Sequence, residues 1–263
     1  MNSVFREKTW IEHRHLLNPS KFKEYELHAA GLGFLNSVNF LKDYKEKFTH
    51  IDALTQEVLS SLKKKTTIIL VRKSMSEEEK KLLENNNFKL KRTWGTLILE
   101  PSKEINLDSN TSKNIRKSEK RLDFLKIDSE SDFKEYYDLF KESRKELGFK
   151  TPSYKYFLEV KKNKYYLAFA VKSKETNKIV AGIATIHNEN YLLEINAARD
   201  KKHYYANDYL KWKIIEYCKL QGIKYYDFAG CNPDPKEGTK DFNIKRFKEK
   251  WGGDFYYEYT YKR

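Results

Sequence analysis

The hydrophobic positions near the C-terminal end of the chain predict a strand, a helix and a second strand in succession. Residues 223–230 are short, β-branched and aromatic, as in a strand, and the glycines and prolines that follow predict a loop. Residues 242–251 carry apolar side chains at helical spacing, and two glycines end that helix. Residues 254–261 alternate as a strand. Asp227 lies towards the carboxyl end of the first of these strands, at 223–230, and open α/β sheets bind their ligands at such strand ends.

The same patterns predict a longer series of elements earlier in the chain. Strands are predicted at 66–73, 88–100, 122–127, 165–171, 179–187 and 191–197, and helices at 76–85, 112–122, 131–147, 153–160 and 207–221. Ser76 and Asn207 are the expected N-caps of two of these helices, and Gly222 follows the end of the last one. A further short helix is expected where Phe34-Leu35 and Phe40-Leu41 stand.

Between residues 122 and 263 the predicted order is strand, two helices, three strands, helix, strand, helix and strand. A meander followed by a strand–helix–strand crossover is typical of the Gcn5-related N-acyltransferase fold. We therefore expect an α/β chain with a mixed sheet of the α+β kind, in which residues 103–263 form one such domain. Residues 66–100 resemble part of the pattern, so residues 1–102 are expected to form a shortened, degenerate unit of the same type.

The charge of the chain favours a polyanionic partner. The formal net charge is +14, which suits nucleic acid, an anionic membrane surface or phosphorylated substrates, although a merely solvated lysine-rich surface gives the same number. Cys218 and Cys231 have neither metal-site nor disulfide spacing, and His13 and His15 have no partner at ligand spacing, so no metal site is expected. The chain shows no signal peptide and no apolar span, which predicts a cytoplasmic protein.

One predicted helix carries its cations on a single face. Lys113, Arg116, Lys117 and Lys120 follow one another at positions i, i+3, i+4 and i+7. Like charges on one face repel each other, and a ligand with phosphates would relieve that repulsion. Phosphate binding and a plain solvated face both remain open.

The segment before the helix at 207–221 lacks the feature that holds coenzyme A in this fold. A coenzyme A pyrophosphate rests on bare backbone N–H groups of a glycine-rich loop at a helix N-terminus. Residues 198–207 contain no glycine, and Tyr204 and Tyr205 stand in the middle of them. Coenzyme A is therefore not the expected donor.

Three stretches of the chain resemble the FemAB-like group, which includes the Fem peptidoglycan-bridge aminoacyltransferases. They are residues 90–100 with 113–120, residues 209–215 with 222–230 (GIKYYDFAG), and residues 247–253 (FKEKWGG). Together they extend over roughly residues 66–263. The resemblance implies two Gcn5-type domains, aminoacyl-tRNA as the donor and a cell-wall precursor with a free amine as the acceptor.

The resemblance and the chemistry of the reaction together indicate roles for individual residues. The resemblance implies that Phe247 and Lys248 correspond to catalytic positions, and Lys248 is expected to meet the oxyanion or a terminal phosphate of the tRNA, unless it is a plain solvated lysine. Asp227 is expected to orient the amine or accept its proton, unless its role is structural and it caps the following loop. The expected substrate contacts are Arg116, Lys117 and Lys113 for precursor phosphates, Lys245 and Arg246 for the tRNA acceptor stem, and Tyr191 for the cleft, unless Tyr191 is a core residue.

The leading hypothesis is an aminoacyltransferase that moves an amino acid from aminoacyl-tRNA to the amine of a nucleotide- or lipid-linked peptidoglycan precursor, without a cofactor. It predicts a cytoplasmic protein with peripheral contact at the inner membrane face. Two alternatives stay open: an N-acyltransferase that uses coenzyme A or a carrier protein on a sugar or surface polymer, and a non-catalytic RNA-binding module.

Overall fold

The protein divides into two compact units, and the chain passes between them more than once. A computed structural model describes residues 22–30, 33–40, 47–50, 54–62, 66–162, 165–187 and 190–263. Unit 1 contains residues 1–98, 230–249 and 254–263, and unit 2 contains residues 99–229 and 250–253. The predicted second domain, 103–263, differs from this division because most of its last 34 residues cluster with the N-terminal part.

Unit 1 is built on a mixed sheet that the C-terminal strand completes. Its elements are β1 (Phe22–Ala30), β2 (Gly33–Phe40), β3 (Lys47–His50), α1 (Gln56–Ser61), β4 (Thr66–Arg72), α2 (Glu77–Asn85), β5 (Lys89–Leu99), α7 (Lys240–Glu249) and β11 (Asp254–Lys262). The strand order is β1-β2-β3-β4-β11-β5, with β3 parallel to β4 and the other pairs antiparallel. The last strand of the chain therefore lies between two strands that are near neighbours in sequence.

The core of unit 1 lies between this sheet and its short helices. Leu59 of α1, Leu70 of β4 and Leu83 of α2 are fully buried there. Ser76 forms the predicted N-cap of α2, and its hydroxyl accepts from the Glu79 N–H while the Glu79 side chain accepts from the Ser76 N–H. This reciprocal capping satisfies two helix donors and fixes the start of α2.

The predicted helix near Phe34 and Phe40 is wrong, because the backbone of residues 33–40 is the strand β2. It pairs antiparallel with β1 on one side and with β3 on the other. Phe34, Val38 and Phe40 stand at even positions, which is the period of a strand. Leu41 lies outside the described residues, as do His13 and His15.

Unit 2 has the meander and crossover expected from the sequence. Its elements are α3 (Ser109–Glu119), β6 (Leu122–Lys126), α4 (Glu130–Glu146), α5 (Tyr154–Lys161), β7 (Tyr166–Ser173), β8 (Ile179–His187), β9 (Tyr191–Arg199), a short 3-10 turn (Lys201–His203), α6 (Ala206–Leu220) and most of β10 (Tyr225–Cys231). The strand order is β6-β7-β8-β9-β10. Pairs along β6 to β9 are antiparallel, and β9 is parallel to β10 because α6 crosses between them.

The core of unit 2 covers both faces of its central strand. Helices α4 and α6 both pack against β8, nearly all of which is buried. Gly182 of β8 is required there, since a Cβ atom would lie 2.5 Å from the ring of the fully buried Tyr136. The predicted N-cap Asn207 is wrong: α6 begins at Ala206, and Tyr205 takes the cap position without a side-chain hydrogen bond.

Candidate functional site

The predicted catalytic Asp227 is held inside unit 2, at the end of β10. Its side chain is fully buried, and the hydroxyl of the buried Tyr191 donates to Asp227 Oδ2 at 2.7 Å. The N–H of Ala229 donates to Asp227 Oδ1 at 2.8 Å, and Ala229 itself has a φ of +62°. A non-glycine residue in the left-handed backbone region is strained, and it persists only where the surrounding structure holds it there. Asp227 and Tyr191 are thus brought together, in a geometry that matches the loop-capping role of Asp227.

Lys248 lies in unit 1, beside Gly230 of β10, which belongs to the same unit. Its ammonium donates to the carbonyl oxygen of Gly230 at 2.9 Å, and its side chain is half-buried. Gly230 tolerates no side chain, since a Cβ atom would lie 2.2 Å from Trp94 Nε1. The guanidinium of Arg92 in turn covers the Trp94 ring at 4.4 Å. This hydrogen bond places the Lys248 ammonium beside a turn of defined backbone.

The other predicted residues of α7 differ in how exposed their charge is. Lys245 forms an ion pair with Glu249 at 2.9 Å. The hydrogen bond with Glu249 is the main cause that raises the pKa of Lys245. Arg246 is exposed, with its guanidinium 5.8 Å from the Phe242 ring, and Phe247 is half-buried. Of these cations Arg246 is the more accessible to a polyanion.

The predicted basic face of α3 is present on the surface of unit 2. Asp108 caps the helix by accepting from Thr111 N–H at 2.7 Å, while Ile115 is buried against the unit. Lys113, Arg116 and Lys120 are exposed on the outer side. Lys117 is half-buried, and its ammonium lies 4.6 Å from the Tyr205 ring centroid and 5.5 Å from that of Tyr204.

The segment between β9 and α6 is held by hydrogen bonds from its own side chains and backbone. Asp200 accepts from the N–H of Lys202, the 3-10 turn follows, and the Arg199 guanidinium donates to the Tyr204 carbonyl at 3.0 Å. The buried Tyr205 is the N-cap residue of α6. The residues that precede α6 are therefore held by their own polar contacts and carry two tyrosines and no glycine.

A buried charged cluster in unit 2 was missed by the sequence reasoning. The ammonium of Lys211 on α6 and the hydroxyl of Tyr226 on β10 both donate to Glu194 of β9. The ammonium of Lys211 also lies 4.4 Å from the Phe228 ring centroid. All four residues are buried, and burial with the adjacent Glu194 raises the pKa of Tyr226 well above its ordinary value. The available signal was a carboxylate, Glu194, within the mostly apolar strand β9.

A second missed cluster joins α3, α6 and the segment 250–253. Asp208 is buried in the first turn of α6 and accepts from Asn114 Nδ2 at 2.8 Å. Its other oxygen accepts from Lys250 Nζ at 2.5 Å. Lys250 directly precedes Trp251, which is fully buried in unit 2. These bonds fix the returning chain segment to the helices of its own unit.

Other reactive side chains within the described ranges do not form a site. Burial raises the pKa of the Cys218 thiol to about 12, so the thiol stays protonated and is a poor nucleophile. Among all the residues that the structure describes, no three His, Cys, Asp or Glu side chains come together in a group that could hold a metal ion. None of the helices in the described ranges combines the length and hydropathy that crossing a membrane requires.

Sequence comparison assigns a family resemblance to the part of the chain that carries Asp227 and Lys248. Residues 158–259 match the FemAB family. A lipid II:glycine glycyltransferase from Staphylococcus epidermidis is 26% identical over 65 residues, which is 25% of this chain but only 16% of that protein. The FemAB-like resemblance expected from the sequence is therefore confirmed.

Solved structures extend the likeness to nearly the whole chain, at identities that show the fold alone. FemX has a TM-score of 0.73 at 14% identity, and the alignment covers 98% of this chain and 92% of FemX. L-PGS from Bacillus licheniformis has a TM-score of 0.66 at 13% identity, with the same two coverages. A GCN5-related N-acetyltransferase from Sphaerobacter thermophilus has a TM-score of 0.51 at 8% identity, over 88% of this chain and 76% of that one. The predicted Gcn5-related fold is confirmed.

Proposed function

We propose that the protein is an aminoacyltransferase that moves an amino acid from aminoacyl-tRNA to the free amine of a peptidoglycan precursor peptide. One observation carries the proposal: the FemAB match over residues 158–259 contains both Lys248, fixed at the Gly230 carbonyl, and the Asp227 turn. The similarity of 65 residues of this chain to a lipid II:glycine glycyltransferase supports an amine acceptor on a cell-wall precursor.

The reaction requires little chemistry from the side chains beyond placement and charge. The precursor amine attacks the ester carbon that links the amino acid to the tRNA ribose, and a tetrahedral oxyanion forms. When the intermediate collapses, the C–O bond breaks, the ribose hydroxyl leaves, and the proton lost by the amine balances the one the hydroxyl gains. Alignment of the two substrates and stabilisation of the oxyanion therefore supply most of the rate enhancement.

In this proposal Lys248 stabilises the oxyanion, and Asp227 acts through the backbone. The ammonium of Lys248 is a cation already oriented by the Gly230 carbonyl, so little reorganisation is needed when negative charge develops. Asp227 fixes the strained Ala229 turn that leads into Gly230 and is a positioning residue. Phe247 contributes the adjacent backbone, and the accessible cations of α3, together with Arg246 of α7, bind substrate phosphates by their charge.

Aminoacyl-tRNA is favoured over coenzyme A because of the segment that leads into α6. Within residues 200–205 the N–H groups of Lys202 and His203 already donate to Asp200, and two tyrosines stand where a pyrophosphate would need bare backbone. The same donor requires the cytoplasmic side of the cell, with peripheral contact at the membrane where the acceptor is lipid-linked.

The test is transfer of radiolabelled amino acids from a total charged tRNA pool to a purified precursor, with Lys248→Met as the variant. We expect product with the wild type and a kcat lower by about 100-fold or more in the variant, as for loss of one oxyanion donor. Lys240→Met, at the first turn of the same helix, is the matched control and is expected to keep the wild-type rate. Turnover with an acyl-coenzyme A but with no charged tRNA would reject the proposal, and so would an unchanged kcat in Lys248→Met.

A further inference from the structure

An exposed aromatic ring lies beside the basic helix α3 on the surface of unit 2. The side chain of Tyr204 is 58% exposed, which makes it one of the few large apolar side chains so exposed among the described residues. The buried ring of Tyr205 meets it edge to face, with centroids 5.4 Å apart and planes at 85°. The ammonium of Lys117 lies near both rings. We call Tyr204, Tyr205 and Lys117 the Tyr204 patch.

The backbone beneath the Tyr204 patch is fixed on both sides. The Arg199 guanidinium donates to the Tyr204 carbonyl, and the Ser118 hydroxyl donates to the Tyr205 carbonyl at 3.5 Å. Tyr205 itself is buried, so the ring that remains in solvent stands on a segment that is already ordered. An ordered ring loses little conformational entropy when a flat ligand stacks on it.

The cations near the patch have no carboxylate to neutralise them within the described residues. None of the ion pairs there involves Lys113, Lys117 or Lys120 of the α3 region, whereas neighbouring lysines such as Lys174 and Lys201 have acidic partners. Among nearby acids, Asp200 is occupied by His203 and by the Lys202 N–H, although Glu119 remains exposed. The surface beside Tyr204 is therefore positive.

We propose that the Tyr204 patch binds the single-stranded 3′ end of the RNA donor, with a base stacked on Tyr204 and backbone phosphates along α3. The identity of that strand rests on the proposed function. Proteins that hold single-stranded RNA combine an aromatic stacking surface with a row of cations in this way. The proposal gives to the donor the cations that the sequence analysis allotted to the precursor.

The length of the cationic row favours a polynucleotide over a single pyrophosphate. Lys113 and Lys120 are seven residues apart on α3 and its C-terminal end, which corresponds to about 10 Å along the axis. Arg116 and Lys117 stand between them. Such a row is longer than one diphosphate group and suits successive phosphodiesters of a strand.

The experiment is fluorescence anisotropy of a short labelled single-stranded RNA with the full chain, at several salt concentrations. Tyr204→Ala is expected to weaken binding by about tenfold, the effect of losing one stacked base, while Tyr204→Phe keeps the wild-type affinity. Lys117→Ala is expected to lower the dependence of log K on log salt by about 0.7. Phe149→Ala is the matched control, because Phe149 is 52% exposed with the Arg144 guanidinium 4.9 Å from its ring.

Binding of uridine diphosphate to the same variants, measured beside RNA binding and amino-acid transfer, separates this inference from the proposed function. Equal affinity of wild type and Tyr204→Ala for the RNA overturns the inference, and so does an equal loss in Phe149→Ala. If uridine diphosphate binding depends on Tyr204 and RNA binding does not, the patch serves the precursor and the inference is wrong. If RNA binding depends on Tyr204 while no charged tRNA supports transfer, the RNA site stands and the proposed function fails.

Discussion

Lysine side chains differ in their ion pairing between the interior of unit 2 and the surface of α3. Lys211 has a side chain only 5% exposed, and Glu194 neutralises it from the neighbouring strand. Lys113 and Lys120 stand in solvent, and the described residues contain no ion pair that involves them. A buried charge must be paired to be tolerated, whereas an exposed one is stabilised by water and remains free for a ligand.

Lys250 lies between these extremes and shows that the difference is graded. Its side chain is 22% exposed, and it pairs with Asp208, whose side chain is 5% exposed. Buried lysines of the unit are therefore paired, whereas exposed lysines include paired ones, such as Lys134 with Asp138, and ones outside any ion pair of the described residues. The cations of α3 belong to the second kind and share one helix face, which makes that face suited to a polyanion.

The largest effect is expected from Lys211→Met. The substitution keeps the length of the side chain but leaves the Glu194 carboxylate buried without its cation, which typically costs about 3–5 kcal/mol. The free energy of unfolding from urea denaturation should fall by that amount.

The double variant Lys211→Met with Glu194→Gln is the control for that prediction. The amide carries no charge and still accepts from the Tyr226 hydroxyl, so most of the lost stability should return. If the single variant is as stable as the wild type, the interior does not depend on the pair, and the contrast with α3 has no energetic basis.

An intermediate effect is expected at the N-terminus of α3, where Asp108 provides the cap. Hydrogen bonds from the Thr111 N–H and hydroxyl lower the pKa of Asp108. Its stabilising effect is therefore complete above the unfolded pKa of about 3.9 and is lost as the pH falls through the lower folded value. Asp108→Ala should cost about 1 kcal/mol near pH 7.

The pH dependence of that loss distinguishes the charged cap from a mere change of packing. The difference between wild type and Asp108→Ala should shrink as the pH falls below about 4, because the protonated carboxyl no longer accepts both bonds fully. Asp108→Asn keeps a capping oxygen without a titrating group, so its stability difference from Asp108→Ala should be independent of pH. A pH-independent loss in all variants would contradict the assigned pKa shift.

Local patterns in the sequence predicted most of the helices and strands, because hydrophobic periodicity, helix caps and turn residues are each set by a few neighbouring positions. They found β10, α7 and β11 at the C-terminus, as well as the meander of unit 2. They missed β2, where two glycines and a mixed apolar run obscured the period of two. They also could not place β11 between β4 and β5, because strand order depends on long-range pairing that no local pattern encodes.

The candidate site was predictable where one element carries it and not where several elements meet. The basic face of α3 followed from helical spacing alone. The bond from Tyr191 to Asp227 joins residues on two strands, and the Glu194 cluster joins two strands and a helix. Pairing partners of that kind are set by the packing of the unit, so the sequence predicted the residue types without their contacts.

The smallest effect, and the one of opposite sign, is expected from Lys113→Gln. Arg116 and Lys117 lie three and four residues further along the same helix, and removal of one like charge relieves roughly 0.2–0.5 kcal/mol per neighbour. The free energy of unfolding at low salt should therefore stay unchanged or rise by a few tenths of a kcal/mol. The gain should disappear at high salt, where exposed charges are screened.

Lys134→Gln on α4 is the matched control, because Lys134 pairs with Asp138 at i+4 and both side chains are about half exposed. Loss of that attraction should lower stability by a few tenths of a kcal/mol. Opposite signs for the two variants, together with weaker RNA binding only in Lys113→Gln, would sharpen the contrast between matched and unmatched cations. A loss above about 1 kcal/mol in Lys113→Gln exceeds what an exposed pair contributes. Lys113 would then have a stabilising partner, and α3 would follow the same rule as the interior.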